Sequence, residues 1–238
     1  MTDLLASVRD PGEARLALEE GCDIIDLKEP SAGALGAVPS VVMRRVVDLV
    51  AGRRPVSATI GDLADSTHIP DAVRKVAATG VDLVKIGLFP GMGEAGYVEA
   101  LASLAGEGYR LVAVLFADHR TDLGLLPALA EAGLYGVMLD TCDKAAGTLL
   151  AHRNIGELGR FTGTAHRLGL YCGLAGSLRL EDIGDLLSLN PDYLGFRGAL
   201  CEGGRITRLS RDALHRARRL IPEQNAKLSS GAGVTAHG

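Results

Sequence analysis

Short apolar runs alternate with longer amphipathic ones along almost the whole chain. The runs LLASV, CDIIDLKEP, PVSATIGD, VDLVKIGL, RLVAVLFAD, YGVMLD, LYCGLAGS and PDYLGFRGAL are brief and partly β-branched. This is the pattern of strands buried on both faces in a parallel sheet. Between them stand PGEARLALEEG, PSVVMRRVVDLVAG, IPDAVRKVAATG, GYVEALASLAGEGY, LGLLPALAEAG, a long stretch from about Gly147 to Leu168, RLEDIGDLLSL and SRDALHRARRLI. Their apolar residues recur three and four apart, which predicts helices. Several of these segments end at glycine, as helix C-termini do. Pro11, Pro39 and Pro70 sit near helix starts, where proline is tolerated.

Eight strand-then-helix units predict an α/β fold, a single (β/α)8 TIM barrel. A doubly wound open sheet would have fewer units and a Gly-rich first turn, which is absent here. The barrel is expected to span residues 1–222. The small, polar segment EQNAKLSSGAGVTAHG, residues 223–238, is expected to be a disordered tail.

Composition removes several classes of function. A chain with 47% hydrophobic and 23% charged residues has the balance of a soluble globular protein. A net charge of -4 leaves no polycationic surface, so no nucleic-acid partner is expected. No apolar run is long enough to span a membrane, and MTDLLASVRDPGEAR does not read as a signal peptide. Cys22, Cys142, Cys172 and Cys201 are scattered without C-x-x-C pairs, which argues against zinc and disulfides and fits the cytoplasm. No carboxylate or histidine pattern calls for a metal. Apolar helix faces such as LGLLPALAEAG are expected to bring copies together as a homo-oligomer.

Chemistry in a barrel sits at the C-terminal ends of the strands. In DIIDLKEP, Asp26 and Lys28 are two apart, so they share one side of a strand. A charged pair on an inner face is costly unless it is paired or used. Of 25 basic residues, 20 are Arg and five are Lys, and only lysine can give up its proton. Lys28, Lys85 and Lys144 fall at the rim, while Lys75 reads as a helix exterior residue and Lys227 lies in the tail. Each rim lysine alone reads as a structural ion pair. Their convergence with Asp26 and Asp140 points instead to chemistry. Burial and clustered cations depress a lysine pKa. A partly neutral lysine attacks carbonyls and forms a Schiff base, and a neighbouring Lys or Asp can move protons at the α-carbon.

His119, in FADHR, reads either as a general base or as a polar rim residue. GLAGS (173–177) and GFRG (195–198) follow the last two strands, where barrels commonly bind phosphate. Gly173, Ala175, Gly176, Ser177, Arg197 and Gly198 are therefore expected to hold a phosphate group, the competing reading being ordinary tight turns.

DLKEP after strand 2, VKIGL at strand 4, LFADH at strand 5, LDT-x-x-K at strand 6 and GLAGSL at strand 7 together resemble the (5-formylfuran-3-yl)methyl phosphate synthase family. Its members are also called 4-(hydroxymethyl)-2-furancarboxaldehyde-phosphate synthases. The resemblance runs from LLASVRDPGEA to GFRGALC. It implies a class I aldolase-like barrel without metal or cofactor, acting on small triose phosphate substrates. Two glyceraldehyde 3-phosphates would condense to the furan aldehyde phosphate of methanofuran biosynthesis, with loss of one phosphate and water. The family's Schiff-base lysine falls on Lys28 and its proton-accepting lysine on Lys85. The acid beside the Schiff base falls on Asp26, and the strand-6 pair on Asp140 and Lys144. Three other readings stay open: a Schiff-base aldolase on another aldose phosphate, a decarboxylase-like barrel that forms no iminium, and a non-catalytic phosphosugar-binding barrel.

Overall fold

The computed structural model describes residues 1–63, 65–89, 94–119 and 123–221. The tail expected over 223–238, with Lys227, lies outside the described residues. Eight parallel strands close into a barrel in chain order. They are β1 (Asp3–Val8), β2 (Ile24–Leu27), β3 (Val56–Thr59), β4 (Leu83–Gly87), β5 (Leu111–Phe116), β6 (Gly136–Asp140), β7 (Tyr171–Leu174) and β8 (Tyr193–Phe196). Helices α1 (Pro11–Glu19), α2 (Ser40–Val50), α3 (Ile69–Ala77), α4 (Glu94–Gly106) and α5 (Leu125–Glu131) follow the first five strands. After β6 come α6 (Leu149–His152) and α7 (Ile155–Arg167), then α8 (Ile183–Leu187) after β7 and α9 (Arg211–Leu220) after β8.

The one long helix expected over 147–168 is thus two. Asn154 interrupts it, because its side chain starts a new helix. Asn154 Oδ1 accepts from Glu157 N, and Glu157 Oε2 accepts from Asn154 N, a reciprocal cap that closes two free helix-end donors. In α5, Leu126 and Leu129 are buried, so LGLLPALAEAG turns much of its apolar surface inward. Among the described residues, no helix is long and apolar enough to cross a membrane.

Side chains alternate across each strand, and the alternation separates two apolar layers. Leu4, Ala6, Ile25, Leu27, Val137 and Leu139 belong to the layer packed under the helices. Leu5, Ile24, Val112, Val114, Met138 and Tyr193 form a second cluster inside the barrel. Glycines make room for its large members. Tyr193 is fully buried and stacks on Tyr171 with ring centroids 5.1 Å apart. The Tyr171 hydroxyl donates to Asp3 at 3.0 Å. A Cβ at Gly173 would fall inside the Tyr193 ring. Gly173→Ala is therefore expected to cost about 1–3 kcal/mol, the usual penalty of overpacking a filled core. A lowered denaturant midpoint with an unchanged m-value would show it; an unshifted midpoint would mean the ring has another place to go.

Among the described residues, the barrel mouth is closed on the side of β4 and β5. The loop after β2 folds in, held by Asp62, whose carboxylate accepts from Ala34 N and Leu35 N, each at 2.7 Å. Leu35 joins Phe89 and Phe116 in the inner cluster, and these two rings lie 4.7 Å apart. Hydrocarbon thus fills the mouth above β4 and β5. Among the described residues, the open side faces β6, β7, β8 and β1.

Candidate active site

Strand register assembles the first acid. Ser7 on β1, Asp26 on β2 and Ser57 on β3 stand in one row. Ser7 Oγ donates to Asp26 Oδ2 at 2.8 Å, and Ser57 Oγ donates to Oδ1 at 2.6 Å. Lys85 Nζ, from β4, meets Oδ1 at 2.6 Å. Asp26 is only 1% exposed, so an ammonium and two hydroxyls take the place of its water.

Asp140 ends β6 and serves two lysines. Lys28 follows the last residue of β2, its N–H still bonded to Val8 O at 3.0 Å. Its Nζ lies 3.4 Å from Asp140 Oδ2. Lys144, on the loop after β6, reaches Oδ1 at 2.5 Å and also donates to Thr141 O. The Thr141 N–H adds a third donor, at 2.7 Å.

The sequence reading set Asp26 beside the amine of Lys28. The structure puts both inside the barrel but crosses the pairs: Asp26 holds Lys85, and Lys28 leans to Asp140. Asp26 sits one inward position deeper, roughly 6–7 Å down the strand, level with Ser7 and Ser57. Lys28 instead reaches the rim.

Burial and charge set the proton affinities. Burial pushes the Lys85 ammonium below its ordinary pKa; Asp26 opposes this, and the charge of Lys28 adds to it. Burial likewise lowers Lys144, against the pull of Asp140 and with the push of Lys28, to about 8. For Asp140, burial would raise the carboxyl. Lys144 and Lys28 outweigh it and hold the group well below the usual carboxylate range.

All five residues line one cavity of about 540 Å³, within the range of roughly 300–1,000 Å³ usual for small-molecule sites. Ala175, Gly176, Ser177, Arg197 and Gly198 line it too. Gly176 has φ +109°, and its missing side chain lets the loop after β7 pass against Thr141. Two residues expected in the site stand apart. Gly173 lies deeper, as the spacer beneath Tyr193. His119 is exposed on the turn after β5, edge-on to Phe116, and does not line the cavity. Among the described residues, no group of three or more His, Cys, Asp or Glu is placed to hold a metal ion.

Arg197 does something other than what its sequence context suggests. Nη1 donates to Ser7 O and Glu13 Oε2, Nη2 to Glu13 Oε1 and Thr207 O, and Nε to Arg205 O. All five N–H donors of the guanidinium are therefore engaged within the protein. It ties α1 to the loop after β8 rather than presenting a free fork to a phosphate.

Four residues of this architecture escape the sequence reading. Ser7 and Ser57 were legible only as polar residues at inward strand positions. Glu13 reads as an ordinary helix acid. Arg205, flanked by GG in CEGGRITRL, lines the cavity from a loop that carries no strand or helix signal.

The sequence pattern of the 4-HFC-P synthase family matches residues 4–218. The (5-formylfuran-3-yl)methyl phosphate synthase of Methanosarcina acetivorans is 36% identical over 225 residues, covering 90% of this chain and 96% of its own. That of Methanopyrus kandleri is 38% identical over 213 residues, covering 84% and 90%. A Methylorubrum extorquens protein given the same name provisionally is 44% identical over 198 residues, covering 83% and 82%. Among solved structures, the phosphoribosyl anthranilate isomerase of Thermus thermophilus superposes with a TM-score of 0.65 over 93% of this chain and 98% of its own. At 14% identity that is a likeness of fold alone. The motifs at the strand ends and the match over nearly the whole barrel agree, and the chain belongs to the 4-HFC-P synthase family.

Proposed function

We propose that the protein condenses two molecules of glyceraldehyde 3-phosphate to (5-formylfuran-3-yl)methyl phosphate through a Schiff base on Lys28, the furan serving methanofuran biosynthesis. The observation that carries this reading is the convergence of three lysines and two carboxylates on one cavity at the strand ends, in a member of this family. Two triose phosphates contain one phosphate and two waters more than the furan aldehyde phosphate, so the site must condense, eliminate and dehydrate without changing the overall oxidation level.

Lys28, as the free amine, attacks a triose carbonyl; water leaves and an iminium forms. The iminium acidifies the neighbouring C–H. Lys85, desolvated and held by Asp26, takes that proton to give an enamine and later returns it. Loss of phosphate from that enamine leaves an enol, whose terminal carbon adds to C2 of the second triose in its ketone form, the bond that gives the furan its branched skeleton. Lys144, held by Asp140, acts as an acid in phosphate loss and dehydration; at about 8 its pKa keeps it mostly protonated at neutral pH yet ready to give up a proton. Ala175, Gly176, Ser177 and Gly198 bound the space for the phosphate groups.

The test is reductive trapping. Protein incubated with glyceraldehyde 3-phosphate and borohydride is expected to carry a triose-sized adduct on Lys28, mapped by mass spectrometry, and without reductant to release the furan aldehyde phosphate. An adduct confined to Lys75 or Lys227, or none, would remove the Schiff-base mechanism.

A further inference from the structure

Arg205 is the cavity cation for which, among the described residues, no carboxylate stands within ion-pair distance. Lys28 and Lys144 share Asp140, Lys85 has Asp26, Arg197 has Glu13, and Arg179 has Glu181 at 3.8 Å. Arg205 instead donates Nη2 to the carbonyl oxygen of Gly33 at 3.0 Å, across the mouth of the barrel. Its side chain is partly buried, and burial lowers its pKa against the pull of Asp140. A guanidinium withdrawn from water without a counter-charge costs free energy that an arriving anion would recover.

The backbone around it is fixed. The carbonyls of Arg205, Ile206 and Thr207 accept from Arg197 Nε at 2.8 Å, Arg9 Nη1 at 2.8 Å and Arg197 Nη2 at 2.6 Å. Three successive peptide groups are thus pinned by two arginines, themselves joined to Glu13. The loop after β8 carries the Arg205 side chain to the cavity on a rigid mount. Lys144 lines the same cavity, and the charge of Arg205 lowers its pKa, so the two cations act on a common volume.

We propose that Arg205 receives the phosphate group that the reaction expels, holding it between its guanidinium and the Lys144 ammonium. This rests on the synthase reading. In the elimination, a base takes the proton from the carbon adjacent to the phosphate-bearing one. The C–H bonding pair forms the C=C bond, the C–O bond to phosphate breaks, and the bridging oxygen leaves with the C–O bonding pair as inorganic phosphate. No oxidant or reductant is needed. The Arg205 fork exchanges the Gly33 carbonyl for two phosphate oxygens, a geometry that guanidinium matches and ammonium does not.

Inorganic phosphate titrated into the full-length protein by calorimetry tests this. Arg205→Gln is expected to weaken phosphate binding by about 10-fold or more, the loss of a charge-assisted pair, and Arg205→Lys to recover part of it. In single-turnover experiments Arg205→Gln should form the Lys28 borohydride adduct as the wild type does, while phosphate release slows. Unchanged phosphate affinity in either folded variant, or no phosphate binding by the wild type, overturns the assignment. Absence of the Lys28 adduct in the wild type would instead count against the Schiff base, and the phosphate titration would still decide the role of Arg205.

Discussion

Lys28→Arg is expected to reduce turnover by roughly 10⁴-fold or more, the scale on which loss of a nucleophile acts, while leaving the fold intact. Arginine keeps the positive charge that Asp140 Oδ2 now finds 3.4 Å away, so the buried carboxylate retains its partner. What arginine lacks is the ability to lose a proton, and without a free amine no iminium forms. The substitution thus separates charge from nucleophilicity at one position. Steady-state formation of the furan aldehyde, followed by its ultraviolet absorbance, measures the first effect. Borohydride trapping measures the second, and no triose adduct should appear on the variant. Near-normal turnover by a folded Lys28→Arg protein would falsify the covalent mechanism.

Lys85→Met should separate capture from proton transfer. Lys85 is 3% exposed and pairs with Asp26 at 2.6 Å. Methionine fills similar space without an amine, and the expected loss in turnover is about 10²–10⁴-fold, the usual contribution of a positioned acid or base. The Lys28 adduct should still form, because attack on the carbonyl does not use Lys85. The fold will suffer as well. Removing one partner of a buried ion pair costs about 3–5 kcal/mol, although Ser7 and Ser57 still donate to Asp26. A thermal melt read beside the trapping experiment keeps the two effects apart. A folded Lys85→Met protein that forms no adduct on Lys28 would place Lys85 in the capture step and overturn this division of labour.

The barrel was legible because its strands are short, apolar and separated by helices of strong three-four periodicity, so each unit announces itself locally. The lysines were legible because the chain writes arginine nearly everywhere else. The pairing among them was not. Asp26 and Lys28 are two residues apart, yet their partners come from β4 and β6, and only the closed register brings those strands within reach. Arg197 sits between glycines at a strand end, a setting that suggests phosphate. Its true partner, Glu13, is 184 residues earlier on α1, where an acid in the first turn looks like helix-dipole chemistry. Gly173 belongs to a motif that reads as a phosphate loop, but its place is fixed by the Tyr193 ring, a packing constraint with no local signature. The break at Asn154 was different: N-x-x-E is a capping signal, and helical periodicity on both sides masked it.

The uneven charge around the mouth has a consequence for traffic. Among the described cavity residues, Lys28, Lys85, Lys144 and Arg205 face only Asp26 and Asp140 once the neutral pairs Arg197–Glu13 and Arg179–Glu181 are set aside. The chain as a whole carries -4. In the proposed reaction, an approaching phosphate ester would meet a protein that repels it in general and attracts it at this opening, over a screening length of about 8 Å at physiological ionic strength. Such focusing raises the frequency of productive encounters. In the proposed reaction the same field would resist the exit of the phosphate made inside, so arrival is hastened at the expense of departure, and product release is expected to be the slower passage.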